Sequence, residues 1–130
     1  MQLLPWSYPC PEGFTLRGLR SEPSGKPLLH FLHGNGFCGG VYWPFLRELA
    51  MDHPLFCHDF EGHGASDAPA KFSGVGRIIA RIPQVMADQA LIGQPLIGIG
   101  HSFGAALTTR VAAANPGLDH GASNPLGAQE

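Results

Sequence analysis

The chain has 130 residues, 44% apolar and 14% charged, with a formal net charge of −2. That length and composition suit one domain with its own core and argue against a disordered chain or a pair of domains. The eight Lys and Arg residues are scattered, so neither nucleic acid nor a membrane is indicated as a partner.

Met1–Phe14 lacks a basic segment followed by a long apolar run, so no signal peptide is expected. No stretch of 18 apolar residues reads as a membrane helix. Phe14–Glu22 alternates in part and reads as a strand near a sheet edge. Pro27–His33 (PLLHFLH) is a short apolar run ended by Gly34, the pattern of a parallel strand buried on both faces. A glycine-rich loop, Gly34–Gly40, leads into a helix over roughly Tyr42–Met51, whose start is set by Pro44. His53–Phe60 is another apolar strand, and Glu61–Pro69 another glycine-rich loop. Val75–Leu91 has helical period but contains Pro83, which predicts a kink or a split. Pro95–Gly100 (PLIGIG) is a third buried strand and Phe103–Ala114 an alanine-rich helix ended by Asn115-Pro116-Gly117. Strands alternating with helices in this way call for an α/β fold, a mostly parallel sheet with helices on both faces. The remainder, residues 118–130, carries no apolar strand and is expected to be disordered.

Gly100-His101-Ser102-Phe103-Gly104 is a G-x-S-x-G motif placed directly between a strand and a helix. A turn this sharp strains its central residue and projects that side chain away from the sheet. The flanking glycines are needed because a Cβ at either position would collide with neighbouring backbone. Ser102 is therefore the candidate nucleophile, and the Phe103 N–H at the helix start is a candidate oxyanion donor. His33-Gly34-Asn35-Gly36 ends an earlier strand, and a backbone N–H of such a loop can supply a second donor. A plain strand-to-helix turn without substrate contact is the alternative for that loop. Asp59-Phe60-Glu61-Gly62-His63-Gly64-Ala65-Ser66-Asp67 follows the next strand.

HGNG, DxxGHGxSD and GHSFG, in that order after successive strands, resemble the α/β-hydrolase family, serine hydrolases of esterase type. The resemblance covers roughly residues 14–116. It implies that the Asn35 amide joins Phe103 in an oxyanion hole and that His63 and Asp67 shape the pocket floor rather than react. Serine rather than aspartate at residue 102 disfavours dehalogenase or epoxide-hydrolase chemistry by the same resemblance. It further implies acyl transfer from an ester-like small molecule to water, without a cofactor.

The family's triad runs serine, acid, histidine. After Ser102 only Asp119, His120 and Glu130 remain as candidates. The helix that begins at the nucleophile carries the chain roughly 18 Å away at ~1.5 Å per residue, so His120 is not expected to be the base. His101 and His33 are expected to hold loops in place. On this reading residues 1–117 are the N-terminal half of a hydrolase domain, truncated after the nucleophile helix. An inactive fragment is the alternative, and self-association through an exposed sheet edge is expected.

A second alternative is a dinucleotide-binding βαβ unit. Gly34-Asn35-Gly36-Phe37-Cys38-Gly39 fits G-x-G-x-x-G, and Asp59 lies twenty residues beyond Gly39. That reading leaves the GHSFG turn unexplained. His53, His58 and His63 recur every five residues, a period that brings them to no common face, so no metal site is expected. Cys10, Cys38 and Cys57 match no zinc or CxxC spacing and suggest a reducing, cytoplasmic setting.

Overall fold

The computed structural model describes residues 3–34, 38–93, 95–114 and 122–123. Six strands form one sheet: β1 (Leu4–Pro9), β2 (Thr15–Arg20), β3 (Leu28–Leu32), β4 (Leu55–Asp59), β5 (Leu96–Gly100) and β6 (Ala122–Ser123). Their spatial order is β1-β2-β4-β3-β5-β6. The β3–β4, β3–β5 and β5–β6 pairings are parallel, whereas β1–β2 and β2–β4 are antiparallel. The three helices are α1 (Trp43–Leu49), entered through a 3₁₀ turn at Gly39–Tyr42, α2 (Val75–Asp88) and α3 (Phe103–Ala114).

The apolar strand runs predict this layering. All five residues of β3 and all five of β4 are buried, so each strand must be covered on both faces. Leu29, Phe31, Leu55, Cys57 and Ile99 point to the face closed by α1 through Tyr42, Leu46 and Ala50. Leu28, Leu32, Phe56 and Leu96 point the other way, onto Ile78, Ile82, Val85 and Met86 of α2 and Leu107 and Val111 of α3. Right-handed crossovers explain the segregation. From β3 the chain passes over α1 to β4 on one side, then over α2 to β5 on the other. The strand order thus reverses about β3, and the loops after β3 and β5 open side by side at the carboxyl end of the sheet, where α/β folds place their ligands.

Three features depart from the sequence reading. β2 lies one strand in from the edge, and the edge itself is the unanticipated β1, which pairs with it from Leu4↔Arg20 to Pro9↔Thr15. Trp6 of β1 lies opposite Gly18 and donates its indole N–H to the Cys57 carbonyl of β4 at 2.8 Å. Only glycine leaves room for that ring to cross β2. Helix α2 runs unbroken through Pro83. A proline inside a helix costs about 3 kcal/mol, whereas burying each of Ile78, Ile82, Val85 and Met86 returns roughly 1.5–3 kcal/mol. Lastly, Ala122–Ser123 lies beside Gly98 and Ile99 in a stretch where the sequence shows no strand. Parallel pairing of two residues needs only backbone groups, so it leaves no mark on side-chain pattern. Residues 115–121 and 124–130 lie outside the described residues.

Candidate active site

Ser102 stands on the turn between β5 and α3 with φ +56°, a left-handed conformation that costs a non-glycine residue about 1–2 kcal/mol. The packing that enforces it is visible on both sides. A Cβ at Gly100 would lie 2.5 Å from the Ala105 and Gly104 backbone, and one at Gly104 would fall on the Leu32 carbonyl of β3. The strand therefore enters, and the helix leaves, closer to neighbouring backbone than any side chain permits. Ser102 itself is exposed, and its carbonyl accepts the Ala106 N–H as α3 begins. Phe103, the first residue of α3, is half-buried with its ring 5.8 Å from Phe60.

The loop after β3 is pinned through Gly34. His33 is fully buried; its Nε2 accepts the Phe60 N–H at 3.0 Å, so its Nδ1–H donates to the Gly34 carbonyl at 2.7 Å. Burial holds the His33 pKa below the ordinary histidine value, in keeping with a neutral ring. The Gly34 N–H donates to the Tyr42 hydroxyl at 2.9 Å. That hydroxyl shares a proton with His101 Nδ1 at 2.7 Å. Both histidines are thus hydrogen-bonded to neighbouring groups through Nδ1. Asn35 and Gly36 lie outside the described residues.

The loop after β4 is knitted to β2. Asp59 Oδ2 accepts the Ala65 N–H at 3.1 Å, and its carboxylate fills the space a Cβ on Gly64 would take. Ser66 Oγ accepts the Arg17 N–H at 2.7 Å and donates to the Asp59 carbonyl at 2.6 Å. Asp67 accepts from Arg17 Nη1 at 2.6 Å and from the Thr15 N–H at 3.0 Å. These bonds hold its carboxyl below the usual carboxylate range, Arg17 foremost. The Gly62 N–H bonds the Asp67 carbonyl at 2.9 Å and closes the turn. His63 bonds the Glu61 carbonyl through Nδ1 at 3.0 Å and packs 5.1 Å from the His33 ring.

Four contributors were not read from the sequence. Arg17 anchors Asp67, and Tyr42 joins two motifs. Glu61 forms a buried pair with Arg81 of α2 at 2.8 Å, both side chains under 7% exposed, while its other oxygen accepts the Ser73 N–H at 2.8 Å. The i+3 and i+4 spacing of Ile78, Arg81 and Ile82 was the available signal for Arg81, since it puts a charge on the buried stripe. Among the described residues, no hydrogen bond joins Ser102 Oγ to an imidazole or a carboxylate, and no group of three His, Cys, Asp or Glu residues could hold a metal. No helix among them is long and apolar enough to cross a membrane.

A model of the alpha/beta hydrolase family matches residues 31–127. Human monoglyceride lipase is 31% identical over 104 residues, covering 74% of this chain and 34% of that protein. The chain therefore spans about a third of that relative's length. Among solved structures, an alpha/beta hydrolase from Novosphingobium aromaticivorans superposes with a TM-score of 0.82 at 22% identity, over 92% of this chain and 42% of the other. A thioesterase domain from the curacin biosynthetic pathway does so with 0.75 at 25% identity, over 92% and 42%. The match spans all three glycine-bearing loops and leaves the dinucleotide reading without support.

Proposed function

The chain belongs to the alpha/beta hydrolase family, and from that premise we propose that its site is built for acyl transfer from an ester-like small molecule to water. The observation that carries this is Ser102 at φ +56°, exposed, between two glycines with no room for a Cβ. In this reading Ser102 Oγ attacks the carbonyl, and the amides of Phe103 and Asn35 receive the developing negative charge. The similarity to a protein named a lipase and to a thioesterase domain supports a carboxylic ester or thioester as the class of substrate. No cofactor enters the scheme. Three free cysteines support a reducing, cytoplasmic setting.

A second reading is favoured by the Ser102 hydroxyl, which has no imidazole or carboxylate partner among the described residues: in this reading the acid and the histidine of a triad are missing, and the chain alone is inactive. The β5 edge, where among the described residues β6 pairs Gly98 and Ile99, supports self-association. A monodisperse monomer in size-exclusion chromatography contradicts that part.

Chemical rescue tests the nucleophile. With a fluorophosphonate and excess imidazole, the Ser102 oxygen bonds phosphorus, fluoride leaves and imidazole takes the proton. The expected result is an adduct on Ser102 by mass spectrometry, formed faster with imidazole and absent in Ser102→Ala. Adducts scattered over other residues, or none, overturn the proposal. Turnover of aryl esters without imidazole is expected at background; robust turnover lost in Ser102→Ala would overturn the inactive-chain reading and reveal a base within the chain.

A further inference from the structure

We propose that Tyr42 is a positioning residue whose hydroxyl ties Gly34, just after β3, to the turn carrying Ser102. The inference rests on Ser102 being the nucleophile. One oxygen atom touches both motifs: it accepts the Gly34 N–H at 2.9 Å and is bonded to His101 Nδ1 at 2.7 Å. Gly34 follows β3, and His101 is the residue before Ser102, fifty-nine positions from Tyr42 along the chain. The phenol is well placed for this because its ring is itself immobilised. It packs edge-on against Phe31 of β3 at 4.7 Å and lies 5.5 Å from the His101 ring, with Tyr42 8% exposed. Backbone supplies the second tie between the same segments, the His101 N–H to the Leu32 carbonyl at 3.3 Å.

Gly34 is gripped from both ends. His33 holds its carbonyl and Tyr42 holds its N–H, so neither group can turn without breaking a buried bond. Removing the Tyr42 oxygen removes one of those grips and the bond to His101 Nδ1 together. A loop so released must be re-ordered each time negative charge develops at the reacting centre, which slows the chemical step without weakening initial capture. A residue that merely supports the fold would shift the melting temperature and leave that partition untouched.

Tyr42→Phe isolates the oxygen and keeps the ring. In the full chain with fluorophosphonate and fixed imidazole, the saturating labelling rate at Ser102 is expected to fall about tenfold while the half-saturating concentration stays unchanged. Hydrogen exchange at the Gly34 amide is expected to rise about tenfold, and the ¹⁵N signals of the His101 ring to shift. His101→Leu, which leaves the Gly34–Tyr42 bond, should slow labelling yet leave Gly34 exchange unaltered, and it serves equally if Tyr42→Phe is poorly folded. Wild-type labelling rates in both variants, or unchanged Gly34 exchange in Tyr42→Phe, overturn the proposal. If wild-type Ser102 takes no label at all, the nucleophile reading falls, and with it this assignment, whatever the exchange data show of the bond itself.

Discussion

Ala90 and Ser102 hold nearly the same backbone conformation, φ +59° and +56°, at opposite ends of helices. Ala90 follows α2. Its N–H bonds the Ala87 carbonyl at 3.1 Å, and the Leu91 N–H bonds the Met86 carbonyl at 2.8 Å, the pair of bonds that ends a helix in a left-handed residue. Glycine is the usual occupant there, and alanine adds nothing but strain. Ser102 precedes α3, and its strain is imposed from outside, by β3 pressing on Gly104 and by α3 pressing on Gly100. A left-handed residue is therefore not in itself a mark of function. It becomes one when neighbouring backbone enforces it and the side chain it presents can react.

The comparison breaks most easily at the glycines. Gly104→Ala puts a methyl group into the Leu32 and His33 carbonyls, rigid backbone at the centre of the sheet. A loss of more than about 4 kcal/mol is expected, seen as a collapse of the urea midpoint or insoluble expression. Near-wild-type stability would show that the turn is looser than its packing implies. Next in size is the pair that anchors the loop after β4: Glu61→Gln leaves the buried Arg81 with only the part-exposed Glu12 carboxylate, 3.4 Å away, and should cost up to about 3 kcal/mol in the same measurement. Ser102→Gly should relieve about 1 kcal/mol of strain while abolishing rescued labelling, so stability and reactivity move in opposite directions. Ala90→Gly should gain about 0.5–1 kcal/mol with labelling unchanged; a loss of stability there would deny that the two sites differ.

Acid sharpens the same contrast, since it acts through His33, beside the loop after β3, and His58 of β4, and not on the turn at Ala90. Burial holds the pKa values of His33 and His58 below the ordinary 6.5. The unfolded chain then binds more protons than the folded one below that pH, so stability is full above about pH 6.5 and falls as pH drops. The slope reaches at most about 1.4 kcal/mol per pH unit for each histidine. Urea midpoints at pH 7.5 and 5.5 check this, and a midpoint that rises on acidification contradicts it.

The strands β3, β4 and β5 and the three motif loops were legible because each rests on a local pattern: an apolar run, then glycines where backbone crowds backbone. β1 was not, because only Trp6 among its six residues is buried, and its stability comes from a ring reaching two strands away over Gly18. Arg81 and Glu61 drew no reading, since their mutual burial depends on residues twenty apart in the chain meeting. Tyr42 looked like the start of an amphipathic helix. Its role lies in one oxygen whose partners come from β3 and from the segment after β5, and spacing along the chain carries no trace of that. Pro83 does not split α2, because the apolar stripe on either side outweighs the local cost of the proline.

The chain's two tryptophans divide the molecule optically. Trp6 is buried, stacked 4.9 Å from Phe56, and its indole N–H is bonded to a carbonyl, so its emission belongs at short wavelength and is insensitive to quenchers in solution. Trp43 is half-buried at the start of α1, immediately after Tyr42, and should emit to the red and be quenched by iodide. Each reports on a different layer. A rise in the red, quenchable component before the Trp6 band moves would record α1 and the Gly34 side of the site opening while the sheet beneath stays intact.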